Sequence, residues 1–142
     1  MPPVLAVMFI IAIAIALQQD ADTAGDPRAP SFYALAEAIA AAEGFGVAGA
    51  IPTVRNNPGD LKLDGQTITT FPTAAAGWDA LYHQLDLIRD GGSRFYTPST
   101  TLGAFASRWT ATEQSAWLGN VVRGLQGAGV PATSSTTLGE LL

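Results

Sequence analysis

Residues 4–17 form an unbroken apolar run, VLAVMFIIAIAIAL, in a chain of 142 residues. No charge or amide interrupts it, so it must be hidden from water, in a membrane or in a core. As a helix it would span about 21 Å, short of a hydrocarbon core about 30 Å thick. That length fits the apolar region of a signal peptide, and Ala14-Ile15-Ala16 supplies an A-x-A cleavage pattern. It fits equally a short membrane anchor, extended by the flanking Pro2, Pro3, Gln18 and Gln19. Asp20, Asp22 and Asp26 follow the run, which places its C-terminal side away from the cytoplasm. A buried core helix is disfavoured, because no polar stripe marks a solvent face.

Residues 18–30 (QQDADTAGDPRAP) have no apolar period and read as a linker. The chain therefore divides into a signal or anchor segment, 1–17, a linker, 18–30, and one domain, 31–142. The remaining length is too short for two packed cores. Three acids and no base precede Arg28, whereas the other nine acids face seven bases, so the domain itself is nearly neutral. A single Lys among so few cations argues against a nucleic-acid partner, whose affinity rests on neutralised phosphates. Without Cys there are no disulfides and no thiol nucleophile, and one His cannot build a His-rich metal site. No metal and no cofactor is expected.

Within the domain, Ser31 is a candidate cap for a helix Phe32–Glu43 that stops at Gly44. Phe32, Leu35, Ala36 and Ile39 form its apolar face. A Gly-rich loop runs from Gly44 to Thr53. After Arg55-Asn56-Asn57-Pro58-Gly59-Asp60-Leu61, the segment Leu61 to Phe71 reads as a β-hairpin turning at Asp64-Gly65. Thr73 caps a helix reaching Asp90, ended by Gly91-Gly92, with Trp78, Leu81, Tyr82, Leu85 and Ile88 as its stripe. His83 lies beside that stripe, where a lone His is ordinarily a surface side chain. Thr100 or Thr101 starts a helix carrying Leu102, Phe105, Ala106 and Trp109. Thr112 opens another, with Trp117, Val121 and Leu125, to about Leu125, and Gly127 and Gly129 end it. Thr136 or Thr137 caps a last turn, Leu138–Leu142. The class is α+β: mainly helical, with one small hairpin, preceded by an N-terminal hydrophobic helix.

Glu43 is the informative residue. Eleven positions beyond Phe32 bring it about 20° past three full turns, so it points with Phe32 toward the buried face, whereas Glu37 should meet solvent. Burial disfavours its charged form, and so do the unpaired carbonyls at the helix end. A carboxyl so placed suits a general acid near neutral pH. The same side chain could instead cap a loop or leave a frayed last turn. Asn56 and Asn57 fit either loop organisers or donors to a ligand. The aromatic residues belong mainly to the core, although a Trp or Tyr can also line a sugar groove.

The order of a helix ending in Glu, a polar loop, a hairpin and several helices resembles lysozyme-like domains. The run Arg55 to Leu61 is similar to the R-x-N-N-P-G-N motif, followed by Ile or Leu, of small phage and bacterial lytic-transglycosylase-like proteins. Phe71-Pro72-Thr73, Gly77-Trp78 and Ser107-Arg108-Trp109-Thr110 continue the likeness, which spans Phe32 to Leu125. The chain departs at Asp60, where relatives often have Asn, and at Gly44, where soluble lytic transglycosylases carry Ser. The resemblance implies cleavage of the muramic acid–glucosamine β-1,4 bond of peptidoglycan by a lytic transglycosylase or muramidase, with Glu43 as catalytic acid. Asn56, Asn57, Asp60, Tyr82 and Trp109 are the substrate-binding candidates, and Asp60 and Asp64 the only possible second carboxylates near the hairpin. Peptidoglycan glycan strands are then the partner. The implied place is the cell envelope, on the periplasmic face of the inner membrane or secreted, or associated with a virion. The other reading is a non-catalytic, membrane-anchored virion or envelope structural protein that has kept this fold.

Overall fold

The computed structural model describes residues 26–142, so the apolar run at 4–17 lies outside the described residues. Six helices follow one another: α1 (Pro30–Glu43), α2 (Ile51–Val54), α3 (Ala74–Asp90), α4 (Leu102–Trp109), α5 (Gln114–Gly127) and α6 (Leu138–Leu141). Among the described residues no helix is long and apolar enough to cross a membrane.

α1 is the centre of the packing. Phe32, Leu35 and Ile39 are fully buried, and so are Ala36, Ala38 and Ala40, which leaves Glu37 in solvent as its angular position required. α5 lies along it, with Val121 and Leu125 fully buried. The approach is close: a Cβ added at Gly124 would stand 3.0 Å from that of Ala38. α3 contributes Leu81, Leu85 and Ile88, α4 contributes Leu102 and Phe105, and α6 contributes Leu138 and Leu141. Each such side chain removed from water stabilises the fold by about 1.5–3 kcal/mol before chain entropy is counted.

Helix ends follow local chemistry, with two departures from expectation. Ser31 does not cap α1; the helix begins one residue earlier at Pro30, and the Ser31 hydroxyl donates to the carbonyl of Leu141 at 2.6 Å. Proline lacks an N–H and has its φ preset, so a first turn that contains it needs less capping. Thr112 does not open α5, which starts at Gln114 after Glu113 in a left-handed conformation (φ 53°). The Gln114 amide donates to the carbonyls of Ser107 and Thr110, satisfying the end of α4 while the chain reverses. Thr73, Thr101 and Thr137 cap α3, α4 and α6 through their hydroxyls, and Glu140 completes a capping box with Thr137. α2 occupies part of what reads as a Gly-rich loop, with Pro52 in its first turn.

The β-hairpin is not present, and this corrects the α+β expectation to a mainly helical fold. The turn exists: Gly65 has φ +79° and its N–H donates to Lys62 O at 2.9 Å. The arms share one backbone bond, Thr69 N–H to Leu61 O, and form no ladder. Side chains have taken the other groups. The Asp64 carboxylate accepts from the N–H groups of Gln66 and Thr67, and the Thr69 hydroxyl accepts from Leu63 N–H. Beneath them the fully buried Asn57 donates to the carbonyls of both Leu61 and Thr69 and accepts from Leu61 N–H. Short polar side chains that bond nearby backbone compete with sheet pairing in this way. The only bridge among the described residues joins Thr101 to Thr137, in antiparallel sense.

Candidate active site

α1 delivers Glu43 as its last residue. Gly44 then turns left-handed (φ +88°), and the N–H groups of Gly44 and Phe45 close on the carbonyls of Ala41 and Ala40. A Ser at position 44 would be strained in that conformation, which accounts for glycine there. The Glu43 carboxyl is half-buried and lines a groove of about 580 Å³ that runs between the 59–68 loop, the chain around Phe95 and Tyr96, and the α4–α5 turn. That volume suits an extended small ligand.

Two indoles hold the carboxyl. Trp117 Nε1 donates to Glu43 Oε1 at 3.0 Å, and Trp109 Nε1 donates to the same oxygen at 3.2 Å. Both rings are wedged against Phe105, with centroids 5.8 and 4.9 Å away, so the donors cannot drift. Oε1 is therefore occupied by two N–H groups. A proton on this carboxyl belongs on Oε2, which has no hydrogen-bond partner among the described residues.

The carboxyl is pushed up to about 7. Burial is the main cause and the negative charge of Asp60 the second, while the N–H groups of Trp117 and Trp109 oppose both by stabilising the anion. Asp60 faces the same groove from a left-handed backbone position (φ 52°). Its Oδ1 is buried without a partner, and burial raises its carboxyl above the ordinary range, while Lys62 and Arg55 act the other way. Replacing Trp117 by Phe keeps an aromatic ring at the site, a smaller one, and removes one donor to the anion. The pH at which Glu43 loses its proton should then rise, which a carboxyl titration followed by infrared or NMR would read; a fall would contradict the hydrogen-bond assignment.

Of the residues singled out from sequence, Glu43, Asp60 and Trp109 meet at the groove. Asn57 does not reach it: all its donors and its acceptor are spent under the loop, so it is an organiser and not a ligand contact. Asn56 likewise donates to Phe71 O at 3.1 Å, tying the loop to the start of α3. Tyr82 lies elsewhere, in an aromatic cluster with Phe32, Tyr33 and Trp78, under the guanidinium of Arg28. Its position on the α3 stripe turns it into the packing against α1, which removes it from the ligand candidates. Asp64 sits at the exposed loop tip and is held in its charged form, below the ordinary carboxylate range, by the N–H groups of Thr67 and Gln66. His83 is exposed on α3.

The second indole, Trp117, reads from sequence as core alone. Its signal was nonetheless present: a buried Trp needs an acceptor for its N–H, and Glu43 was the one carboxylate placed on a buried face. Among the described residues no group of His, Asp or Glu is arranged to hold a metal ion. No protein-family model, curated protein or solved structure matches the chain.

Proposed function

We propose that this chain adopts a lysozyme-like fold and cleaves peptidoglycan at the muramic acid–glucosamine β-1,4 bond, as a lytic transglycosylase with Glu43 as general acid and then base. The observation that carries this reading is a carboxyl raised to about 7, held by two indole N–H groups, in the lining of an open groove. A general acid works best when its proton affinity lies near the working pH.

The chemistry follows from the two oxygens of Glu43. Oε2 gives its proton to the glycosidic oxygen as the bond from that oxygen to C1 of the muramic residue breaks. Positive charge develops at C1, which Asp60, lining the same groove, would stabilise through space in its charged form. The Glu43 anion, steadied by both indoles, then takes the proton from the muramic C6 hydroxyl as that oxygen bonds to C1. The products are a shortened strand and a 1,6-anhydro sugar, and Glu43 ends protonated again. In a hydrolase, water would take the place of the C6 hydroxyl. Residues 4–17 would keep the domain at the envelope, as an anchor or as a secretion signal.

The test is digestion of purified sacculi with mass spectrometry of the products at several pH values. Anhydro ends are expected, with kcat/KM falling roughly tenfold per pH unit above about 7, because the protonated fraction of the acid falls at that rate. Reducing ends alone would overturn the transglycosylase form. Absence of cleavage at every pH would overturn the enzyme reading.

A further inference from the structure

Besides the two acids, the groove carries an arrangement that the cleavage chemistry does not use. Phe95 lines the groove yet is 61% exposed, a large apolar ring left in water. It is nevertheless held in place. The N–H groups of Phe95 and Tyr96 both donate to the Ser93 hydroxyl, and Tyr96 packs on Phe105 at 4.9 Å between centroids. The guanidinium of Arg108 lies over the Phe95 ring, 4.5 Å from its centroid. A guanidinium stacked on a ring keeps its N–H groups, which lie in its own plane, free for an acceptor. Arg28 and Arg89 are engaged with the carboxylates of Asp86 and Asp90, whereas neither Arg108 nor Lys62, the two cations of the groove, has an ion-pair partner among the described residues. Lys62 adjoins Asp60 and acts on it, which leaves Arg108 as the cation offered to a ligand.

We propose that Phe95 and Arg108 form a subsite for a pyranose that bears a carboxylate. The apolar face of the sugar stacks on Phe95 and the carboxylate pairs with the guanidinium of Arg108. The proposal rests on the glycan-cleaving reading above and deepens it by naming the residues that hold the acidic sugar. Arg108 directly precedes Trp109, whose indole touches Glu43, so the subsite adjoins the acid along the same groove. Peptidoglycan offers such a carboxylate in two places, the lactyl ether of the muramic residue and the stem peptide.

The experiment measures binding by the full chain carrying Glu43→Gln, so that turnover does not interfere. Three probes are used: an N-acetylglucosamine hexamer without carboxylates, peptide-free glycan strands with lactyl carboxylates, and peptide-bearing strands. The Glu43→Gln chain should bind at least one acidic probe about tenfold more tightly than the hexamer, as expected for one charge-assisted pair. Adding Arg108→Gln should erase that preference, and 0.5 M salt should reduce it. Adding Phe95→Ala should weaken all three probes by a similar factor, about tenfold. Whichever acidic strand carries the preference identifies the source of the carboxylate. If the Glu43→Gln chain binds the probes but Arg108→Gln leaves the preference intact, or Phe95→Ala changes nothing, the subsite is wrong and the proposed function stands. If it binds no glycan at all, the underlying reading falls with it.

Discussion

Glu43→Gln should abolish the clearing of sacculi, by at least about a hundredfold, while making the protein harder to unfold above neutral pH. The loss of activity follows because an amide cannot donate the proton that the departing sugar oxygen needs. The gain in stability follows from linkage. In the unfolded chain the carboxyl titrates near 4.5, and in the folded protein at about 7. The folded state binds this proton more tightly, so its contribution to stability is fully present below pH 4.5 and is lost as the pH rises through 7. The glutamine side chain keeps a carbonyl for the two indoles and carries no charge to desolvate. Allowing for partial exposure, the variant should gain on the order of 2 kcal/mol over the wild type at pH 8 and almost nothing at pH 4. Thermal unfolding of both proteins across that range measures it. Equal stability of the two proteins at pH 8 would mean that the carboxyl is not held against ionisation, and clearing that persists in the variant would remove Glu43 from the mechanism.

Gly77→Ala should cost about 4 kcal/mol and lower the melting temperature by on the order of 10 °C. Gly77 is buried in the first turn of α3, and a Cβ there would lie 1.8 Å from the carbonyl oxygen of Asn56 and 2.9 Å from Pro58 Cδ. The obstacle is backbone, and it cannot rotate away. Asn56 itself is in a left-handed conformation, and its amide is tied to Phe71 O. Relieving the clash must therefore shift the 56–60 segment that carries Asp60 to the groove, so cleavage should fall together with stability. Gly127→Ala is the control. Nothing stands within 4 Å of its added Cβ, and at the last position of α5 the change should be neutral or stabilise by at most about 0.5 kcal/mol. If Gly77→Ala behaved as mildly as Gly127→Ala, the close packing of α3 on the loop would be refuted.

The helices were legible because their signals are local. Gly44 and Gly91 stop α1 and α3 in left-handed turns, and Thr73 and Thr101 start α3 and α4, as their chemistry required. The apolar stripes of α1, α3 and α5 are the ones buried, since a period of 3.6 residues admits one inward face. Glu43 was legible for the same reason: eleven residues of helical rotation carry it to the face of Phe32. The hairpin was misread because Asp64-Gly65 specifies a turn and says nothing of whether the arms will pair. Whether they do was settled by Asn57, whose amide takes the Leu61 N–H and the Thr69 carbonyl that would otherwise have paired with each other.

The amino-acid order by itself determined where most helices run, which faces they bury, and that one carboxyl at the end of α1 would point inward. Each of these depends on rotation and capping within a single element. Tertiary structure alone decided which donors meet that carboxyl, that Asp60 shares its groove while Asp64 and Tyr82 do not, and that Phe95 and Arg108 line the same groove. The two donors stand far along the chain from Glu43, 66 positions for Trp109 and 74 for Trp117. Such pairs meet only when α5 packs back along α1 with α4 packed on α5, and no periodicity along the chain encodes the angles at which they do so.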